Sequence, residues 1–415
     1  MIALFKNNSN FRSFLVFKAF SGIAGNIFSI FILWVIHAKF QNPMYTGLAG
    51  FMTATPAIAS FAAGPLIDKF NKVYLLRITC LAQLLSVSLL LMFSASYWAG
   101  IWFFLINIFI FNLARMVSFP AGVALLPMIV SGEDLIKGNA AVKIISTIGG
   151  LGIGIALFFM MENNEGFIAV FAINAAVLLA ALIVSAFMNN PKSVISDTKS
   201  NKSYFGELKS GMIFSRRGVM LHLLVALVSL NLFAEVASVN LPMFAELHAN
   251  SASGYILLVV IASAGGMIGP IVSGFVGKRF GLRKIFIMGF IFSGIIRLAF
   301  VAVIAHSFIA SLLLHLLFAG LVSVVGIFAQ TLTQKLPPQN LVARVNTIKT
   351  SLYNIAASLG ALAGGIIGTV FRSADSAFVL HGISYIVAGL LLCLSGHVKG
   401  LPKINDVKSI ANNDQ

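Results

Sequence analysis

The chain has 415 residues, 59% of them hydrophobic and only 10% charged, with a formal net charge of +16. A water-soluble chain of this length needs far more polar surface to cover its core, so composition excludes a soluble globular protein. The apolar residues come in blocks, and a bilayer core about 30 Å thick is crossed by roughly 20 helical residues rising about 1.5 Å each. In chain order the blocks predict spans at residues 14–36, 48–67, 73–92, 99–116, 140–161 and 167–188, then at 219–241, 255–276, 285–305, 308–331, 351–371 and 377–394. The blocks are continuous rather than alternating in polarity, which argues against strands. A backbone in lipid must satisfy its own hydrogen bonds, which favours helices.

The excess of positive charge raises the question of nucleic acid, and its placement answers it. Of the 28 Lys and Arg, Lys39 and Arg372 fall on one side of the predicted spans, and Lys18, Arg115 and Arg297 fall within them. The rest lie in or beside segments on the opposite side. That asymmetry is the positive-inside pattern; it puts both termini in the cytoplasm and needs no nucleic-acid partner. Two cysteines, Cys80 and Cys393, lie inside predicted spans and form no disulfide framework. The first apolar block is too long for a cleavable leader and lacks a small-residue cleavage site.

The longest polar stretch separates six spans from six. The expected organisation is an amino-terminal bundle (1–188), a cytoplasmic linker (189–217), a carboxy-terminal bundle (218–396) and a polar, loosely ordered cytoplasmic tail (397–415). The halves also resemble each other. Gly64-Pro65-Leu66-Ile67-Asp68-Lys69-Phe70-Asn71-Lys72 follows span two, and Gly274 to Lys284, with Lys278, Arg279, Gly281 and Arg283, follows span eight, 210 residues later. Phe171 and Phe378 in spans six and twelve are 207 apart, and Lys143 and Lys349 at spans five and eleven are 206 apart. Three matches at nearly one spacing point to a duplication of the kind transporters carry.

At these residues the chain resembles the major facilitator superfamily, whose loop between helices two and three reads GxxxDRxGRR. Gly64, Asp68, Lys69 and Lys72 match it, while Asn71 replaces the second glycine; the second copy puts Lys278 at the acidic position. A narrower resemblance, carried by Phe119-Pro120-Ala121, Ala124-Leu125-Leu126-Pro127, Glu133-Asp134-Leu135 and Asn139-Ala140, is to the macrolide-efflux and enterobactin-exporter branch. Members of that branch often carry Asp where Asn26 stands. The resemblance implies an all-α membrane protein of twelve transmembrane helices in two six-helix pseudo-symmetric bundles. It also implies a monomer in the inner (cytoplasmic) membrane of a bacterium, with membrane lipid, a small-molecule substrate and the proton gradient as its partners. It implies a secondary active exporter of a drug-like compound or siderophore by proton antiport. An importer, a lipid flippase or a non-transporting receptor on the same fold are the alternatives.

The resemblance also assigns candidate roles. Gly64, Asp68, Lys69 and Lys72, with Arg279 and Arg283 of the second copy and Arg115 at the predicted end of span four, form a cytoplasmic latch in which a carboxylate faces a helix amino terminus. Glu235 is the acidic residue placed deep within a span, where an ionised carboxylate is costly and faces a cavity or a partner. Loading and releasing a proton there is what antiport requires; the bland reading is a structural ion pair with Arg297. Spans one, four, seven and ten line the family's cavity, which nominates Asn26, Asn107, Asn112, Asn231 and His315 for substrate. Lys18 is expected to snorkel to the cytoplasmic interface. Gly149 to Gly154 lies in an apolar span with no preceding strand and is no nucleotide loop. Gly265 to Gly274 resembles the antiporter helix-five motif GxxxGPxxGG, but stands in span eight. No cofactor, metal-ligand spacing or nucleophile–base pair is legible, so an enzyme is not expected.

Overall fold

The computed structural model of the chain describes residues 2–58, 70–93, 100–130, 134–161, 166–189, 211–216, 218–249, 251–338, 341–399, 401 and 403–406. Twelve long helical segments run through them: α1 (Ser9–Phe40), α2 (Pro43–Ile58), α3 (Lys72–Phe93), α4 (Ile101–Ile129), α5 (Leu135–Met161), α6 (Gly166–Ala186), α7 (Gly218–Ala249), α8 (Ala252–Arg279, interrupted at Met267), α9 (Leu282–Ile304), α10 (Phe308–Lys335), α11 (Val342–Phe371) and α12 (Ala374–Leu394). Among the described residues ten are long and apolar enough to cross a membrane; α2, described as far as Ile58, and α5 are outside that set. Gly64, Asp68, Lys69 and most of the expected linker lie outside the described residues.

The chain forms two compact units, one of Met1–Asp197 with Ser251–Leu257, the other of Thr198–Asn250 with Leu258–Gln415. Within the first, α3 packs on α4 and α6, α1 on α5 and α6, and α2 on α4. Within the second the same pairings recur six helices later: α9 packs on α10 and α12, α7 on α11 and α12, and α8 on α10. The duplication read from residue spacing is therefore a duplication of helix packing, and the protein is an all-helical membrane protein of two pseudo-symmetric bundles.

Helix ends show how the backbone is satisfied. The Asn8 side chain accepts from the Phe11 N–H at 2.9 Å, capping α1, and donates to the Ile129 carbonyl at 2.8 Å, tying that cap to the end of α4. Asn71 Oδ1 accepts from the N–H groups of Val73 and Tyr74 and so caps α3. The asparagine that departs from the family's loop motif thus works as an N-cap. At the end of α6, Arg77 of α3 donates to the carbonyls of Ser185 (2.8 Å) and Met188 (2.9 Å), a guanidinium cap on a helix carboxy terminus. Residues 403–406 are held rather than loose: Lys403 donates to the Lys278 carbonyl at 3.1 Å, and Lys335 to the Ile404 carbonyl at 2.9 Å. The charged heads find unpaired carbonyls at and beyond helix ends, which a reading of polarity alone cannot foresee.

The second unit closes on glycine seams. Side chains would hold α9 off α12 at Gly294, where a Cβ would lie 2.5 Å from the Gly382 carbonyl, and α7 off α11 at Gly364, where it would lie 2.9 Å from Val236 Cα. The segment resembling an antiporter motif is one more such seam. Pro270 has no N–H to give the Gly266 carbonyl four residues before it, and α8 breaks there. Ser323 of α10 donates its hydroxyl to that carbonyl at 2.6 Å. A Cβ at Gly265 would lie 2.5 Å from the Leu316 carbonyl, and one at Gly269 would collide with Ser323. Ser323→Ala orphans one carbonyl while keeping the seam, and is expected to cost about 0.5–2 kcal/mol. Gly269→Leu wedges α8 from α10 and costs more. Thermal melting of the detergent-solubilised protein reads the order.

Candidate functional site

Glu235 stands near the middle of α7, half-buried, and no hydrogen bond or ion pair reaches it among the described residues. Its neighbour is a helix without a side chain at the contact: a Cβ at Gly360 of α11 would lie 3.1 Å from Glu235 Cβ. Two asparagines fasten α7 to α11 on either side. Asn231 donates to the Tyr353 carbonyl at 2.7 Å, and Asn240 to the Gly364 carbonyl at 2.8 Å and to Val236 of its own helix. The carboxyl therefore sits on a seam fastened on both sides, with its own oxygens uncommitted among the described residues. In the first unit Asn26 of α1 meets Gly150 of α5 in the same way, a Cβ there falling 3.0 Å from Asn26 Nδ2. Residues 26 and 235, and glycines 150 and 360, are repeat equivalents, so one half carries an amide where the other carries an acid.

Two cavities flank this stretch of α7, and Ala234 lines both. The smaller, about 280 Å³, is lined by Asn231, Gln330, Lys349, Tyr353 and Tyr385. Lys349 is held there by Gln330 and, at 3.4 Å, by the Thr333 hydroxyl. The larger, about 380 Å³, is lined by Ser238 and Leu241 of α7, Leu258 of α8, Arg297 of α9, His315 of α10 and Phe378 of α12, among others.

Several expectations change. Arg297 does not pair with Glu235. It contacts the Nδ1 of His315 at 2.8 Å, and its guanidinium carbon lies 4.5 Å from the Phe318 ring centre, 4.6 Å from Phe378 and 5.1 Å from Phe300. Span assignment shows which helix a charge stands on, but not which face. Arg115 is not at the cytoplasmic end of its helix. Pro120 and Pro127 are accommodated inside α4, which runs on to Ile129, and Arg115 donates instead to the Ser29 hydroxyl of α1 at 2.7 Å. Lys18 reaches across to α4 rather than out to the interface, its Nζ 3.0 Å from where a Cβ on Gly122 would be. Asn107 and Asn112 are buried and donate to Phe103 and Ile108, carbonyls of their own helix. In hydrocarbon a backbone acceptor one turn away is the nearest partner, and these amides take it.

The remaining latch residues stand at helix ends: Lys72 opens α3 and donates to the Phe70 carbonyl, Arg279 closes α8 over the Phe280 ring, and Arg283 lies in the first turn of α9. Of the phenylalanines on the expected cavity spans, Phe28 and Phe111 stack on each other at 3.7 Å, and Phe104 is wholly buried. Only Phe318 lines the larger cavity. Sequence reasoning missed Lys349 and His381 as interior polar groups. Lys349 stands just outside a predicted span, and His381 carries no spacing signal. Asn231→Leu is expected to lower stability by about 1–3 kcal/mol, because it buries the Tyr353 carbonyl unpaired; unchanged melting would mean that the amide is not structural.

The fold has solved relatives. The chain superposes on a mutant form of the nucleoside transporter NupG with a TM-score of 0.75 at 12% identity, over 92% of this chain and 98% of that one. It superposes on a D-xylose-proton symporter with a TM-score of 0.67 at 14% identity, over 96% and 98%, and on the POT family transporter PepTSo with 0.70 at 10%, over 93% and 97%. At these identities the likeness is one of fold. No curated protein sequence matches the chain. The model of the Major Facilitator Superfamily matches residues 14–272 and 234–411. Two six-helix bundles with repeated pairings, a transporter fold and a family match spanning nearly the whole sequence agree: this chain is a member of the major facilitator superfamily, a multi-pass membrane protein of the secondary-transporter class.

Proposed function

We propose that the protein is a proton-coupled exporter of a small amphipathic molecule, with Glu235 as the group that carries the proton. The observation that supports this reading most is the isolation of Glu235. A carboxyl in a membrane helix normally finds a cation or a hydrogen-bond donor, and this one, among the described residues, has neither. A committed carboxyl is a structural element; an uncommitted one, on the α7–α11 seam one residue from the Ala234 that lines both cavities, is free to exchange a proton as the helices around it shift. Its repeat equivalent Asn26 has no titratable group, so coupling rests on one bundle.

Export is supported by the resemblance at Phe119 to Asn139 to the macrolide-efflux and enterobactin-exporter branch, and the apolar cavity walls suit an amphipathic cargo. A proton crossing inward as cargo leaves provides the drive. The charge asymmetry supports cytoplasmic termini in a bacterial inner membrane. The loop with Gly64, Asp68, Lys69 and Lys72, and its second copy with Arg279 and Arg283, are the proposed latches of the cytoplasmic face; Arg115, bonded to Ser29 from the middle of α4, is left out of them.

Comparing the medium of cells with and without the protein identifies the cargo, and inverted vesicles carrying an imposed pH gradient then test the drive. Glu235→Gln is expected to abolish accumulation against a gradient while leaving downhill exchange of the same cargo intact. Gradient-driven flux at the wild-type level in that variant removes the coupling role. Asp68→Asn is expected to cut transport in both directions at normal membrane abundance; full flux there would dismiss the latch.

A further inference from the structure

We infer that the cavity beside Arg297 is a binding site for the monoanionic group, a carboxylate or its equivalent, of an amphipathic ligand. The inference rests on the proposed transport function and adds the charge of the cargo. Arg297 is 5% exposed, and a charge that deep requires a counter-charge or a dense set of hydrogen bonds. It has neither. A guanidinium offers only donors, so the Nδ1 of His315 must accept at their 2.8 Å contact, which leaves His315 a neutral imidazole with its proton on Nε2. The Nε of Arg297 has no partner. His381, whose two ring nitrogens are both unpartnered, and the phenol of Tyr385 also lie within electrostatic range, and neither carries a negative charge. No carboxylate lies within ion-pair distance among the described residues.

The three phenylalanine faces around the guanidinium attract it through their ring quadrupoles, but they carry no net charge. Meanwhile Arg297 and His315 form part of the wall of the 380 Å³ cavity, a size proper to a small-molecule site. Ser238 is another polar group there, whereas Leu241, Leu258, Phe318 and Phe378 make the wall apolar. The Nη2 of the guanidinium makes no hydrogen bond among the described residues and is the donor left to a ligand carboxylate, while Nε is enclosed and unpartnered. One fixed charge beside neutral imidazoles matches one negative charge; a phosphate dianion would exceed it. Charge-assisted bonding at one end and aromatic and aliphatic contact along the body define an amphipathic monoanion.

The test uses two probes of nearly equal shape, 1-naphthaleneacetate and its uncharged amide, titrated by equilibrium dialysis against the full chain in non-ionic detergent. Wild type is expected to bind the anion about tenfold more tightly, a difference of about 1.4 kcal/mol. Arg297→Gln, checked for monodispersity, should bring the two affinities together. Ser238→Leu, which narrows the cavity and leaves the charge in place, should weaken both and keeps the test standing if the arginine variant does not fold. Equal binding of the two probes by wild type, a preference that survives Arg297→Gln, or anion binding undiminished in Ser238→Leu overturns the inference. Displacement of the anion by an equimolar amount of phosphatidylglycerol in mixed micelles supports the inference with a lipid headgroup as the source of the monoanion, and no displacement supports it with a free amphipathic carboxylate. No proton gradient enters the measurement, so its failure leaves the role of Glu235 standing, and loss of that role leaves this result standing.

Discussion

Hydrocarbon accepts no unpaired polar group cheaply, and this constraint explains most of what is seen inside the two bundles. At several freed backbone carbonyls among the described residues, a side chain from a neighbouring helix comes to meet them. The Ser323 hydroxyl answers the Gly266 carbonyl that Pro270 leaves unpaired, and Arg77 gathers the last carbonyls of α6. Asn231 and Asn240 reach across to carbonyls of α11. Where no neighbour is within reach, as for Asn107 and Asn112, the side chain turns back on its own helix. The polar residues of the spans are therefore mostly fasteners, and a polar group left over stands out.

Glycine does the complementary work. Between apolar helices in lipid, association depends on close contact rather than on expulsion of water. Gly265, Gly269, Gly294, Gly360, Gly364 and Gly382 bring backbones together in the second unit. The seam between α7 and α11 carries Glu235, the proposed coupling group, with asparagine fasteners on each side. A carboxyl mounted on a loose helix pair would find a partner by adjusting; one mounted on a fastened seam keeps its oxygens uncommitted.

The interior is also unbalanced in charge. Lys18 reaches across to α4 in the first unit, and Arg297 and Lys349 are interior to the second, against Glu235 alone among the acidic residues deep in the described spans. Lys349 and Arg115 are hydrogen-bonded to neutral groups, and Arg297 sits among aromatic rings. A transporter whose interior is cationic suits a cargo that brings the negative charge with it. The cavity beside Arg297 is where the proposed anion would meet a guanidinium without a counter-charge.

By itself the sequence determined the solvent, the helical class, the number of long segments and the duplication, because each depends on counts and spacings that survive without coordinates. It also singled out Glu235, since an acid in the middle of an apolar block is conspicuous on any face of a helix. It did not determine which partners the buried groups take. A helix end misplaced by 13 residues, as at α4 (116 expected, 129 observed), moves Arg115 from a membrane edge to a helix centre, and because a helix turns about 100° per residue span membership leaves facing open. Tertiary packing alone decided that Arg297 meets His315 and three phenylalanines rather than Glu235, that His381 joins them from 84 residues along the chain, and that Asn107 and Asn112 serve their own helix. Those contacts are set by which faces the glycine seams bring together, a geometric outcome of many helices packing at once.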